Sequence, residues 1–278
     1  MGRMLDTSGP GSVPTYSAAS TTSALVVGAD AVWLLVVRDA RRLMEMARSR
    51  TGALNGRLDL GVISTLGPYY VPLVLRDLRQ HFPELVLRLQ ENQTLSLLDA
   101  LSRFTLDAAL VALPVEQDGL SARALFFEPF RMLLPAGHVL ADGPDLSLSD
   151  LDTEDLLLLL EEGHCLRDQA ISLCRLPKAA GRMTPIASGG DPRFATSLEM
   201  LRHMVAAGEG FSLMPALATR EVPELSGLVR LRSLADGAAG RMVGLVWRST
   251  DPRGPDFERL AAVLRDNAPD GTQPVPSG

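Results

Sequence analysis

Cys165 and Cys174 are the only two cysteines in 278 residues, and they stand nine positions apart. Their chemistry depends on the thiolate, which is the nucleophilic form of cysteine. Leu166, Ala170 and Leu173 follow Cys165 at helical spacing and share one face. Pro177 marks the latest end of that helix. The run Asp155-Leu156-Leu157-Leu158-Leu159-Leu160 reads as a buried strand. Cys165 therefore stands where a strand hands over to a helix, facing the unpaired N–H groups of the first turn. A helix end contributes roughly 0.3–1 kcal/mol, and one pKa unit corresponds to about 1.36 kcal/mol. The helix alone lowers a thiol pKa by less than about one unit, so strong activation needs a cation. His164, Arg167 or a distant arginine could supply it.

Nine residues of intact helix span roughly 13 Å, whereas disulfide partners need Cα atoms roughly 4.4–6.8 Å apart. A bond between these cysteines would require the helix to unwind, which is the behaviour of a switch rather than a staple. Two ordinary core cysteines fit the spacing equally well, because free cysteine is often buried.

The elements that would position this segment follow an α/β rhythm. Leu58 to Ile63 reads as a strand, Pro68 to His81 as a helix, and Leu85 to Gln90 as an alternating strand. A helix over Thr94 to Arg103 and a strand over Ala108 to Ala112 continue the pattern. Strand–helix–strand repetition predicts parallel βαβ units. Around Phe130 to Pro135 the chain is expected to cross to a second subdomain. That subdomain holds the Leu-rich strand, the cysteine helix and a strand near Phe194. A further helix there opens with Thr196 and Glu199 at capping-box spacing and ends at Gly208. Phe211 to Met214 reads as another strand, and Pro215 could open a helix. Near Arg241 to Trp247 the chain returns, and a helix through Phe257, Leu260, Ala261 and Leu264 closes it.

Two such lobes make a cleft, and ligands of open α/β sheets bind beyond the carboxyl ends of the strands. Thr65 follows the first strand, Thr94 the second, and His164 and Cys165 the Leu-rich one, so these groups could converge. Thr65 and Thr94 serve equally well as plain helix caps on sequence grounds.

An apolar fraction of 46% suits a globular core, and the net charge of −6 argues against nucleic-acid binding by bulk electrostatics. No stretch reaches the roughly 18 apolar residues of a membrane span. Two cysteines do not make a disulfide scaffold. In a reducing cytoplasm, the expected location, a disulfide would be transient or redox-sensing. No zinc-ligand cluster, phosphate loop or Ser/His/Asp motif stands out, so neither metal nor cofactor is expected. Residues 1–30 are rich in Ser, Thr, Gly and Pro and read as disordered. Residues 31–56 read as a basic helix followed by a linker, and 268–278 as a loose tail.

The block Gly163-His164-Cys165-Leu166-Arg167-Asp168-Gln169-Ala170, with its second cysteine at 174, resembles the redox segment of the peroxide-sensing, OxyR-type members of the LysR family of transcriptional regulators. Gly61-Val62-Ile63-Ser64-Thr65-Leu66-Gly67-Pro68-Tyr69 looks like the start of that family's effector domain. Residues 195–208 look like a later helix of it. The resemblance runs from about Arg38 to about Asp266. It implies two Rossmann-like subdomains of the periplasmic-binding-protein type (type 2) joined by crossing strands, preceded by a partial linker helix. Subdomain I would take 57–130 and 238–267, and subdomain II 131–237.

The resemblance further implies a regulator rather than an enzyme, switching by a reversible Cys165–Cys174 disulfide. It places hydrogen peroxide against Thr65, Thr94, His164 and Cys165. Arg241, Arg167 and Asp168 would stabilise or orient the thiolate. It also implies a homodimer or homotetramer, with promoter DNA and RNA polymerase as partners of full-length relatives. No helix-turn-helix pattern is legible in residues 1–37, so specific DNA binding by the chain as written is not expected. Two other functions remain open: a small-molecule effector domain with incidental cysteines, and a thiol oxidoreductase. The Cys-x-x-Cys motif of thioredoxin-like enzymes is absent.

Overall fold

The computed structural model describes residues 54–147, 150, 157–174, 194–220, 223–235, 237 and 239–275, together with 36 and 40. The expected disordered segment, and most of the expected linker helix, lie outside the described residues. The chain divides between Leu43 and Met44, and every element below belongs to the second part.

Strand β1 (Gly56–Ile63) pairs in parallel with β2 (Leu85–Asn92) and with β3 (Ala108–Leu113). Helix α1 (Gly67–His81) connects β1 to β2, and α2 (Thr94–Ser102) connects β2 to β3. Residues 60–63 of β1 and 108–112 of β3 are buried without alternation. That is the signature of strands covered on both faces.

The long strand β4 (Leu120–Pro135) joins the two lobes. From Leu120 to Pro129 it pairs antiparallel with β9 (Gly240–Arg248), which also pairs with β3. From Phe130 to Pro135 it pairs instead with β7 (Ser212–Pro215) and β8 (Val229–Ser233). The crossing expected around Phe130 to Pro135 is a single strand that changes partners between Pro129 and Phe130.

The second lobe adds the short parallel pair β5 (Leu159–Leu160) and β6 (Phe194–Ala195). It also holds α3 (Cys165–Cys174) and α4 (Leu198–Ala206). Helix α5 (Gly254–Asp266) returns to the first lobe, where the Tyr70 hydroxyl donates to the Leu264 carbonyl at 3.1 Å.

Each lobe has its own core. Tyr70, Phe126, Trp247 and Phe257 anchor the first, and Phe130, Met132, Leu201 and Met214 the second. Burying each such large side chain stabilises the fold by roughly 1.5–3 kcal/mol.

Three expectations need correction. The tail is not uniformly loose, because β10 (Gln273–Pro274) pairs antiparallel with β4 at Phe126 and Phe127. Helix α4 is capped by Ser197, whose Oγ accepts from the Met200 N–H at 3.2 Å, while Thr196 is exposed outside it. Both residues are good caps, and burial of Leu198 fixes the helix start one position later. Pro215 opens only a short 3-10 turn, Ala216–Thr219.

Candidate functional site

Cys165 begins α3 and belongs to both lobes. Its neighbours Leu166 and Ala170 are buried in the second core, while the half-buried Cys165 packs against the first. Two contacts from the first lobe fix the approach to it. Gln93, just after β2, donates from Nε2 to the Glu162 carbonyl at 3.1 Å. Ser64, just after β1, places its Oγ 3.4 Å from Nδ1 of the buried His164. Both come from the carboxyl ends of parallel strands, where binding sites of such sheets form. Gly163 makes the close seating possible. Its φ of +92° favours glycine, and a Cβ there would lie 2.2 Å from Oε1 of Gln93.

The charges around the thiol differ from what sequence spacing suggests. Burial lowers the His164 pKa below its usual value, only partly offset by the Glu161 carboxylate. His164 is therefore neutral near pH 7 and supplies no cation. Arg167 reaches back along the chain, with Nη1 3.5 Å from the Leu160 carbonyl and Nη2 3.8 Å from the Glu162 carboxylate. Asp168 is exposed. Cys174 closes the helix at its far end, roughly 13 Å along the axis at 1.5 Å per residue.

Beside this segment lies a buried polar chain. Arg241 donates from Nη1 to Thr65 Oγ1 at 2.7 Å and from Nη2 to the Thr65 carbonyl at 3.0 Å. Its Nε donates to Glu128 Oε2 at 2.8 Å, and Nη2 meets the same oxygen at 2.8 Å. Both side chains of the pair are fully buried. The other Glu128 oxygen accepts the Leu217 N–H at 2.9 Å. Arg241 thus offers oriented hydrogen bonds, and its positive charge is matched by a carboxylate. The sequence reading did not anticipate Glu128. A lone carboxylate within the apolar run Phe126-Phe127-Glu128-Pro129-Phe130 was the available signal.

Neither threonine is a helix cap. Leu66 and Gln93 occupy the cap positions, without side-chain hydrogen bonds. Thr94 Oγ1 is buried and has no hydrogen-bond partner among the described residues. Gln169 Oε1, one turn beyond Cys165, is likewise buried, with no partner among the described residues. Leaving such a group unsatisfied costs roughly 1–3 kcal/mol, which a small hydrogen-bonding ligand would relieve. Thr65 differs in being satisfied already by Arg241. Among the described residues no group of His, Cys, Asp or Glu could hold a metal ion, and no helix is long and apolar enough to cross a membrane.

The family model described as the LysR substrate binding domain matches residues 51–269. The chain belongs to the LysR family. Within it, the chain is 38% identical over 231 residues to the Escherichia coli K12 DNA-binding transcriptional dual regulator OxyR, covering 83% of this chain and 72% of that one. Its fold matches a crystal structure of the reduced form of OxyR at a TM-score of 0.66, with 35% identity. That match covers 77% of this chain and 96% of the other. A cysteine mutant of Corynebacterium glutamicum OxyR with hydrogen peroxide bound matches at 0.70, with 33% identity over 84% of this chain and 71% of that one. The mixed α/β, two-lobed architecture expected from the sequence is that of this LysR domain.

Proposed function

We propose that this LysR domain senses hydrogen peroxide through Cys165 and converts the event into a Cys165–Cys174 disulfide. The observation that carries the reading is a single intact helix bracketed by the two cysteines, with its first residue seated against the opposite lobe. The relatives named for hydrogen peroxide support it. The Cys165 thiolate attacks one peroxide oxygen. An S–O bond forms, the O–O bond breaks, and the departing hydroxide takes a proton to become water. Cys165 is oxidised by two electrons to a sulfenic acid. Cys174 then attacks that sulfur as a thiolate. The S–S bond forms, the S–O bond breaks, and the departing hydroxide takes a proton to leave as a second water.

In this reading Thr94 Oγ1 hydrogen-bonds the peroxide, with Thr65, held by Arg241, beside it. His164 is a neutral partner that orients the approach, and Gln93 and Ser64 hold the Cys165 segment in place. Arg167 and Asp168 contribute to the setting of α3. Because the intact helix keeps the cysteines apart, the second step must wait for α3 to unwind. Cys174→Ser should therefore accumulate sulfenic acid at Cys165 after a peroxide pulse, read by trapping with a sulfenic-acid probe and mass spectrometry. A variant that shows no trapped sulfenic acid while losing the Cys165 thiol would refute the sequence of steps.

We further propose that the chain acts as a homodimer or homotetramer in the cytoplasm, coupled in full-length form to promoter DNA and RNA polymerase. Strand β2 lies at the edge of its sheet and exposes Val86 on one face and Leu89 on the other, 61% and 43% accessible, an edge suited to pairing with a second copy. Light scattering at micromolar concentration should read at least a dimer. A monomer in both redox states would overturn this part of the proposal.

A further inference from the structure

A cavity of about 550 Å³ lies in the second lobe, and no residue of the Cys165 segment lines it. That is within the range of small-molecule sites, roughly 300–1,000 Å³. Leu133, Met214, Val229 and Leu231, from β4, β7 and β8, give it an apolar wall. Three arginines complete the lining: Arg202 from α4, Arg220 after the 3-10 turn, and Arg230 from β8. No aspartate or glutamate is among the described lining residues. Arg220 and Arg230 are exposed and have no acidic partner among the described residues. Arg202 is buried, and its Nη1 lies 3.7 Å from a Glu199 carboxylate oxygen, beyond hydrogen-bond length. Its guanidinium also sits over the Tyr69 ring at 5.9 Å.

We propose that this cavity binds a small organic anion with an apolar body and a carboxylate head. An apolar wall takes hydrocarbon, and the guanidinium fork matches a carboxylate in two parallel hydrogen bonds. Among the described residues, three cations meet one loosely held counter-charge, an excess of positive charge. A neutral ligand would leave that charge unanswered, and a cationic one would be repelled. The site does not depend on the peroxide reading, because it shares no residue with the Cys165 segment. It does lie behind the turn that positions Glu128. Ala218, Thr219 and Arg220 line the cavity, and the neighbouring Leu217 N–H holds the Glu128 carboxylate.

The test is calorimetric titration of the reduced protein with octanoate, octan-1-ol and octylammonium, which share a tail and differ in the charge of the head. Octanoate should bind saturably at one site per chain, at least about tenfold more tightly than the alcohol, and the ammonium should not bind. The double variant Arg220→Ala, Arg230→Ala removes only exposed side chains, and its fold can be checked by circular dichroism. It should lose about tenfold or more in octanoate affinity, while Cys165→Ser binds as the wild type does. No saturable octanoate binding would overturn the proposal. So would equal affinity for octanoate and octanol, or an undiminished affinity in the double variant.

Discussion

Cys165→Ser should abolish the rapid reaction with low-micromolar peroxide and leave the protein folded. Serine is nearly isosteric with cysteine, and the position is half-buried at a helix start, so the loss of packing is small. Its hydroxyl is a far weaker nucleophile than a thiolate at neutral pH. The same variant should abolish a second signal. In the wild type, oxidation must bring two Cα atoms from roughly 13 Å to within roughly 4.4–6.8 Å of each other, which α3 cannot accommodate while helical. Amide hydrogen exchange over residues 165–174 should therefore rise on peroxide treatment of the wild type and stay unchanged in Cys165→Ser. Peroxide consumption by Cys165→Ser at the wild-type rate would transfer the chemistry elsewhere. Unchanged exchange in a wild type that has formed the disulfide would remove helix unwinding from the mechanism.

The parts of this site legible in the sequence are those set by local periodicity. The switch from the Leu-rich run to Leu166, Ala170 and Leu173 at helical spacing places Cys165 at a helix start, and α3 begins there. Strands β1 and β3 and helices α1 and α2 were legible for the same reason, with boundaries within two residues of those expected. What sequence could not supply is the pairing of distant side chains. Arg241 and Glu128 are 113 positions apart, and no local pattern says that the carboxylate of one strand meets the guanidinium of another. Gln93 was invisible as a site residue because its partner is a backbone carbonyl 69 positions away. Strand β10 has no apolar alternation and exists only because the edge of β4 is open to it. The capping residue of α4 was misplaced by one because Thr196 and Ser197 have nearly equal preference for the position.

Arg241→Ala should be among the most destabilising single substitutions in the domain. It leaves Glu128 fully buried, still accepting the Leu217 N–H but without a counter-ion. Breaking a buried pair from one side costs roughly 3–5 kcal/mol, which urea denaturation would register as a lowered midpoint. Thr65 also loses both hydrogen bonds that fix it, so Cys165 should react more slowly with peroxide. Charge and positioning can then be separated. Glu128→Gln leaves a net positive charge in the same place, whereas Arg241→Ala leaves a net negative one. If the pair acts on the thiol through its field, iodoacetamide should alkylate Cys165 at pH 7 faster than wild type in Glu128→Gln and more slowly in Arg241→Ala. The double variant should return toward the wild-type rate, because it removes both charges. If the pair acts only by holding Thr65, Glu128→Gln should alkylate at the wild-type rate, and the double variant should remain as slow with peroxide as Arg241→Ala. Equal peroxide rates in Arg241→Ala and wild type would remove the Thr65–Arg241–Glu128 chain from the sensing site altogether, whatever it contributes to stability.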